Sequence, residues 1–227
     1  MKPITTPSPK AKKPPQSASV TPSKTKDTAE GAIGDRRAEL IEKAAQLFGE
    51  RGYANTSMRD ISAAFGILHG SIYHHFGNKE GLVAALCFAA LDDQLKLFEP
   101  RMKSAATPKE AIVQLVHAYM QWVGEKPELA RFLAQARNGV ANGPFAKDLD
   151  ARNKQRYGDL HKWLAKGVQD GLILALPKET YASLLIGPAE NFCRAWLSGR
   201  VKESPIAYAE VFAEAAWRAV GDAPHCR

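Results

Sequence analysis

Three of the six histidines crowd into one short stretch as His69, His74 and His75, a cluster that invites a metal site. The spacing does not fit one. There is no HExxH pair at i, i+4, and no carboxylate partner lies nearby in sequence. The three cysteines, Cys87, Cys193 and Cys226, are few, odd in number and widely spaced, and none belongs to a CxxC pair, which argues against a disulfide framework or a zinc ribbon. GxSxG, GxGxxG and P-loop signatures are absent, and no nucleophile–base pair stands out. Asp60 and Glu80 read as helix caps or surface charges rather than catalytic acids. The expectation is a protein with no catalytic residues, no metal and no cofactor, whose chemistry is binding.

Composition says what kind of binding. The chain has 227 residues, enough for one large domain or two small ones, and is 45% hydrophobic and 24% charged, as in ordinary soluble globular proteins. No apolar run reaches about 18 residues, so no membrane span is expected. The first residues include Lys2 but no apolar h-region, unlike a secretory signal. A reduced, cytoplasmic protein is the expectation. The formal charge of +7 suggests a polyanionic partner. Most of that charge sits in 1–34, with six lysines against Asp27 and Glu30, six prolines and no aromatic residue. Such a segment buries too little apolar surface to offset ordering entropy, so 1–34 reads as a disordered basic tail. Within 35–81 six basic residues meet six acidic ones, so charge alone identifies no nucleic-acid module there.

The pattern does. Leu40, Ala44, Leu47 and Phe48 fall on one helical face, with Asp35 able to cap the start and Gly52 able to end it. Thr56-Ser57 precedes Met58-Arg59-Asp60-Ile61, and Ser57-x-x-Asp60 has the form of a capping box. Ile61, Ala64 and Phe65 give this second helix its apolar face, and Gly66 breaks it. A third helix over about 68–75 sets Leu68, Ile72 and Phe76 against a face of His69, Gly70, Ser71, Tyr73 and His74. Two short helices joined by a tight Gly-containing turn make a helix-turn-helix, whose second helix enters the DNA major groove.

The run from Gly52-Tyr53 through Thr56-Ser57, Arg59-Asp60-Ile61 and Gly66-Ile67 to Gly70-Ser71-Ile72-Tyr73-His74-His75-Phe76, then Lys79-Glu80-Gly81-Leu82, closely resembles the DNA-binding domain of TetR-family transcriptional regulators. The likeness covers about 35–82, with the helix-turn-helix at 57–76. It implies that Thr56 caps the second helix and touches a phosphate, and that Arg59 reaches phosphate or a base edge. Gly70 would allow close approach to the DNA, Ser71, Tyr73 and His74 would contact phosphates or base edges, and Lys79 would pair with a phosphate at a helix N-terminus. Ile61, Phe65, Ile72 and Phe76 would form the small core. Two positions depart from the pattern. Leu68 stands where a capping hydroxyl is common. His69, also on the DNA face, stands where lysine is common, which would make its contact pH-sensitive.

The rest, 82–227, reads as helical throughout, giving an all-α protein of about nine helices: a helix-turn-helix domain over 35–81 and a ligand-binding and dimerisation domain over 82–227. A helix from Lys79 to about Leu97 ends before Pro100. An apolar stripe runs from Ile112 to Val123, a short helix holds Phe132 and ends at the Asn138-Gly139 turn, and a long helix spans about 144–171. Pro188 falls inside the next helix and should kink it. Polar residues interrupting these stripes mark a candidate pocket: Asn153 and Tyr157, with His117 and Gln135, as orienting groups, and Tyr119, Met120, Trp122, Phe132 and Trp163 as walls. The last two helices carry more aromatic surface than one chain can cover, in Tyr181, Leu185, Phe192, Trp196, Tyr208 and Phe212. The resemblance implies a homodimer in which these two helices form a four-helix bundle with their mates, on a two-fold-symmetric double-stranded DNA operator. It also implies an unidentified small-molecule effector that releases a repressor. The competing expectation is a structural or partner-dependent DNA protein without an effector, favoured slightly by the basic tail.

Overall fold

The computed structural model of the chain describes residues 41–222 apart from 42, 53, 54, 67 and 68, and of Phe65 and His69 the backbone alone. The sequence readings for the 1–34 tail, Asp35, Leu40, Leu68, the His69 side chain and Cys226 lie outside the described residues. The architecture is all-α. Helix α1 runs over 43–51 and is followed by α2 (Met58–Phe65), α3 (His69–Phe76), α4 (Lys79–Ser104), α5 (Pro108–Glu125), α6 (Pro127–Ala141) and α7 (Ala146–Gln169). Then come α8 (Lys178–Leu185), α9 (Gly187–Leu197), a 3-10 turn (Pro205–Tyr208) and α10 (Ala209–Val220). One isolated antiparallel bridge, Ile173 to Gly221, ties the chain after α7 to the end of α10.

The core follows from the apolar stripes. Helix α5 is the central post, in contact with α4, α6, α7, α9 and α10. Ile112, Val116 and Met120 are fully buried, each contributing on the order of 1.5–3 kcal/mol by leaving water. Near the N-terminal helices, Ala44, Phe48, Ile61, Ile72, Leu82 and Leu86 are buried together. Phe48 stacks on Phe132 with ring centroids 5.4 Å apart, which fastens α1 to α6.

Four local expectations require correction. The α4 helix does not stop at Leu97 but runs through Pro100 to Ser104. The proline costs about 3 kcal/mol in a helix interior, and tertiary anchors beyond it offset that cost. Met102 is buried, its carbonyl accepts from Trp163 Nε1 at 3.2 Å, and Arg101 donates to Gln121 at 2.5 Å. Asn138-Gly139 is helical, not a turn, because buried Val140 holds the last turn of α6 in the core and the chain turns only at Asn142. Ala64 is exposed, off the apolar face of α2. The helix expected to run through Pro188 is split at Ile186, which ends α8 and begins α9 while keeping helical bonds to Ala182 and Glu190, and the described residues form ten helices.

Candidate nucleic-acid interface and internal cavity

The helix-turn-helix is built by caps at both ends of its turn. Ser57 Oγ accepts from the Asp60 N–H at 3.2 Å, while Asp60 Oδ2 accepts from the Ser57 N–H at 2.7 Å and the Ser57 hydroxyl at 2.6 Å, completing the capping box. These bonds, with the Arg51 and Lys79 charges, hold the Asp60 carboxyl below its usual range. Gly66 ends α2 at φ 61°, a left-handed conformation that a side chain resists. Ile72 and Phe76 then seat α3 in the core. The approach of α3 to α4 depends on Gly81, where a Cβ would lie 2.0 Å from the Phe76 carbonyl oxygen.

This frame gathers Thr56, Arg59, Tyr73 and Lys79 around one surface concavity, with Asn55, Ser57 and Met58 completing its wall. Ser57, Met58 and Arg59 bring the first turn of α2 to its edge. Tyr73 is 44% exposed. Gly70 and His74 are exposed on the same short helix, and a Cβ at Gly70 would meet nothing within the protein. Ser71 and His75 are half-buried, and His75 packs edge-on against His74. Thr56 does not cap α2. It is buried, and its hydroxyl donates to the Gly52 carbonyl at 2.9 Å, so it closes the turn before the helix while Ser57 takes the cap. Among the described residues no three His, Cys, Asp or Glu side chains come together as a metal site.

A second feature is a cavity of about 470 Å³, partly open to solvent and lined by residues of α4 to α9. Of the residues expected at a pocket, Tyr119, Trp122 and Tyr157 line it together. Trp122 is fixed there by its Nε1–H, which donates to Asp93 at 3.0 Å. Burial pushes the Tyr119 phenol well above its usual range, so it stays protonated. The other expected residues go elsewhere. Met120 and Phe132 are buried away from the cavity, and Trp163 lines a separate surface recess beside Met102. Asn153 is half-buried outside the lining, His117 meets Glu210 at 3.0 Å, and Gln135 is exposed. The polar residues that do face the cavity include Gln94, Arg137, Arg156 and Tyr181, none of them singled out as a ligand group from sequence. The signal was present in Arg156, which occupies an apolar-stripe position of α7.

The expected pairing surface is partly internal. Tyr181 lines the cavity, and its hydroxyl donates to the Leu174 carbonyl at 2.7 Å and accepts from the Leu176 N–H at 3.2 Å. Leu185 is covered by its own chain. Trp196 is half-buried. Phe192, Tyr208 and Phe212 form an aromatic cluster, with Phe192 5.2 Å from Tyr208 and 5.0 Å from Phe212. Beside it Ile206 is 47% and Val211 64% exposed, an apolar face of the kind that marks an interaction surface. Among the described residues no helix is long and apolar enough to cross a membrane.

Comparison with known proteins agrees with this geometry. The family described as bacterial regulatory proteins, tetR family, matches residues 40–86. The chain is 32% identical over 145 residues to the HTH-type transcriptional repressor KstR2 of Mycobacterium tuberculosis, across 64% of this chain and 72% of that protein. The solved structure of that ketosteroid transcriptional regulator superposes with a TM-score of 0.59 at 26% identity, covering 82% of this chain and 95% of KstR2. A TetR family transcription regulator from Marinobacter aquaeolei VT8 shares the fold at a TM-score of 0.73 and 22% identity, over 85% of this chain and 99% of the other.

Proposed function

This chain belongs to the TetR family of bacterial regulatory proteins, and on that premise we propose that it is a homodimeric, sequence-specific repressor released from its operator by a small molecule. In this reading 35–81 is the DNA-binding head, 82–227 the ligand-binding and dimerisation body, and 1–34 a basic arm, all working in the cytoplasm. Arg59, Gly70, Ser71, Tyr73, His74 and Lys79 face the DNA, with His69 beside them. The apolar face around Val211 and the Phe192, Tyr208 and Phe212 cluster meets its two-fold mate.

The observation that carries the reading is α4. Lys79 at its first turn borders the concavity beneath α2, and Gln94 on the same helix lines the cavity. Fifteen residues of rise separate them, about 22 Å. One rigid element therefore touches both sites, so a ligand that alters the cavity wall also moves the head. The ligand must favour the released arrangement, since equal affinity for both would shift nothing.

The test is sequencing of genomic fragments captured by the purified full-length protein. Enrichment of a two-fold-symmetric site is the expected result. Capture without a motif, with steep salt dependence, would instead favour the effector-independent DNA protein.

A further inference from the structure

Arg156 is the one arginine buried in the wall of the cavity, and it is incompletely satisfied. It is 7% exposed, yet its Nε and Nη1 have no hydrogen-bond partner. Nη2 donates to Gln94 Oε1. Among the described residues no carboxylate pairs with the guanidinium; Glu190 lines the same cavity without forming an ion pair with it. Two rings flank the group instead, with Phe98 and Tyr157 centroids 4.9 and 5.0 Å from Cζ. They stabilise a cation through their faces but accept nothing from its edge.

A buried charge with open donors is costly. Burial and the nearby Arg137 disfavour the charged form of Arg156, and Tyr157, Tyr119 and Glu190 offset this only in part. Arginine does not lose its proton to relieve this, because its intrinsic pKa lies too high. Each of the two donor edges of the guanidinium keeps one open N–H, either Nε–H or Nη1–H. What such an edge lacks is an in-plane oxygen anion. One unpaired deep charge is neutralised by one negative charge. A carboxylate supplies that charge in a flat group, and the walls beyond it, Leu115, Leu160 and Leu164, are apolar.

We propose that Arg156 anchors the effector, and that the effector is a monocarboxylate with an apolar body whose head meets the open guanidinium edge between Phe98 and Tyr157. Gln94 accepts from Nη2, the nitrogen that both edges share, and so sets the plane of the fork. This assignment rests on the reading of the cavity as the effector site.

The test measures binding to the full-length protein by calorimetry and by tryptophan fluorescence, since Trp122 lines the cavity. The probes are dodecanoate, dodecanamide and dodecan-1-ol, which share a chain and differ in the head. Dodecanoate should bind at least tenfold more tightly than either neutral probe. Arg156→Met should abolish that preference and leave the neutral probes unchanged, and Arg156→Lys should restore only part of it by keeping charge without the fork. Should Arg156→Met fail to fold, Arg156→Lys and the headgroup comparison on the unaltered protein still decide. Equal binding of the three probes, no binding of dodecanoate, or a preference that survives Arg156→Met overturns the proposal. These measurements need no DNA, so they fail or succeed separately from operator binding.

Discussion

The indole of Trp122 donates its Nε1–H to Asp93 Oδ2 at 3.0 Å, so one wall of the cavity is bonded to the outer side of α4. Lys126 reaches the same carboxylate at 3.1 Å. Burial alone would raise the Asp93 pKa. The bonds from Trp122 and Lys126 and the charges of Lys126 and Lys96 outweigh it, and the pKa falls below its ordinary 3.8. A depressed carboxylate adds stability that is full above its unfolded value and is lost as pH falls through its lower folded value. Asp93→Asn should therefore cost about 1 kcal/mol near neutral pH. The gap to the parent should narrow as the pH drops below 3.8. Urea unfolding at several pH values reads this, and a gap that stays constant into acid would show that the charge of Asp93 does not matter.

Tyr73→Ala and Lys79→Ala should each weaken operator binding by about tenfold, the order expected for one charge-assisted or phosphate contact. Sedimentation should find the oligomeric state unchanged, since neither residue lies near α9 or α10. Undiminished affinity in either variant would remove that residue from the DNA face.

Gly81→Ala should destabilise the protein by about 2 kcal/mol, within the range for overpacking a tight contact. The added methyl would collide with the backbone oxygen of Phe76, which cannot swing aside. Because the collision lies where α3 meets α4, operator affinity should fall more than the loss of folded protein explains. Thermal melts alongside binding curves separate the two, and a variant as stable as the parent would mean that the junction yields.

Val211→Asp should split the dimer. Val211 is 64% exposed in the single chain, so a carboxylate there is harmless to the monomer fold but would be buried unpaired between two copies. At least tenfold weaker self-association is expected by analytical ultracentrifugation, with weaker operator binding in step. An unaffected dimer would place the two-fold contact elsewhere.

Much of the head is legible in the sequence because its signals are local. Ser57, Asp60 and Gly66 act within one turn of themselves, and the spacing of Ile61, Ile72 and Phe76 reports which face is buried. The all-α class and the order of the helices follow from the same periodicity. The misread positions depend on tertiary packing that the local pattern does not report. Pro100 looks like a stop until Trp163 bonds the Met102 carbonyl. Asn138-Gly139 looks like a turn until Val140 is seen in the core. Leu185 reads as a pairing residue from its helix, yet its own chain buries it. Phe132 and Trp163 are apolar enough for a cavity wall, yet nothing local says which side of their helices the cavity occupies. For Arg156, its place on the apolar stripe of α7 is the legible signal, and its burial beside Phe98 is what gives that signal its meaning.

The interruption at Ile186 bears on how the cavity wall is held. Helix α8 is eight residues long, has no side-chain cap, and buries only Leu185. Past Pro188 the backbone ladder resumes with the Glu190 N–H on the Ile186 carbonyl at 2.8 Å. So short a helix, interrupted before the next, is held by its packing on α10 and by the Tyr181 hydroxyl on the Leu174 and Leu176 backbone. Tyr181, Ala182, Ser183 and Leu185 all border the cavity. The proline thus divides the cavity wall into two separately supported pieces: α8, fastened through Tyr181 to the chain that precedes it, and α9, which carries Phe192 against Tyr208 and Phe212.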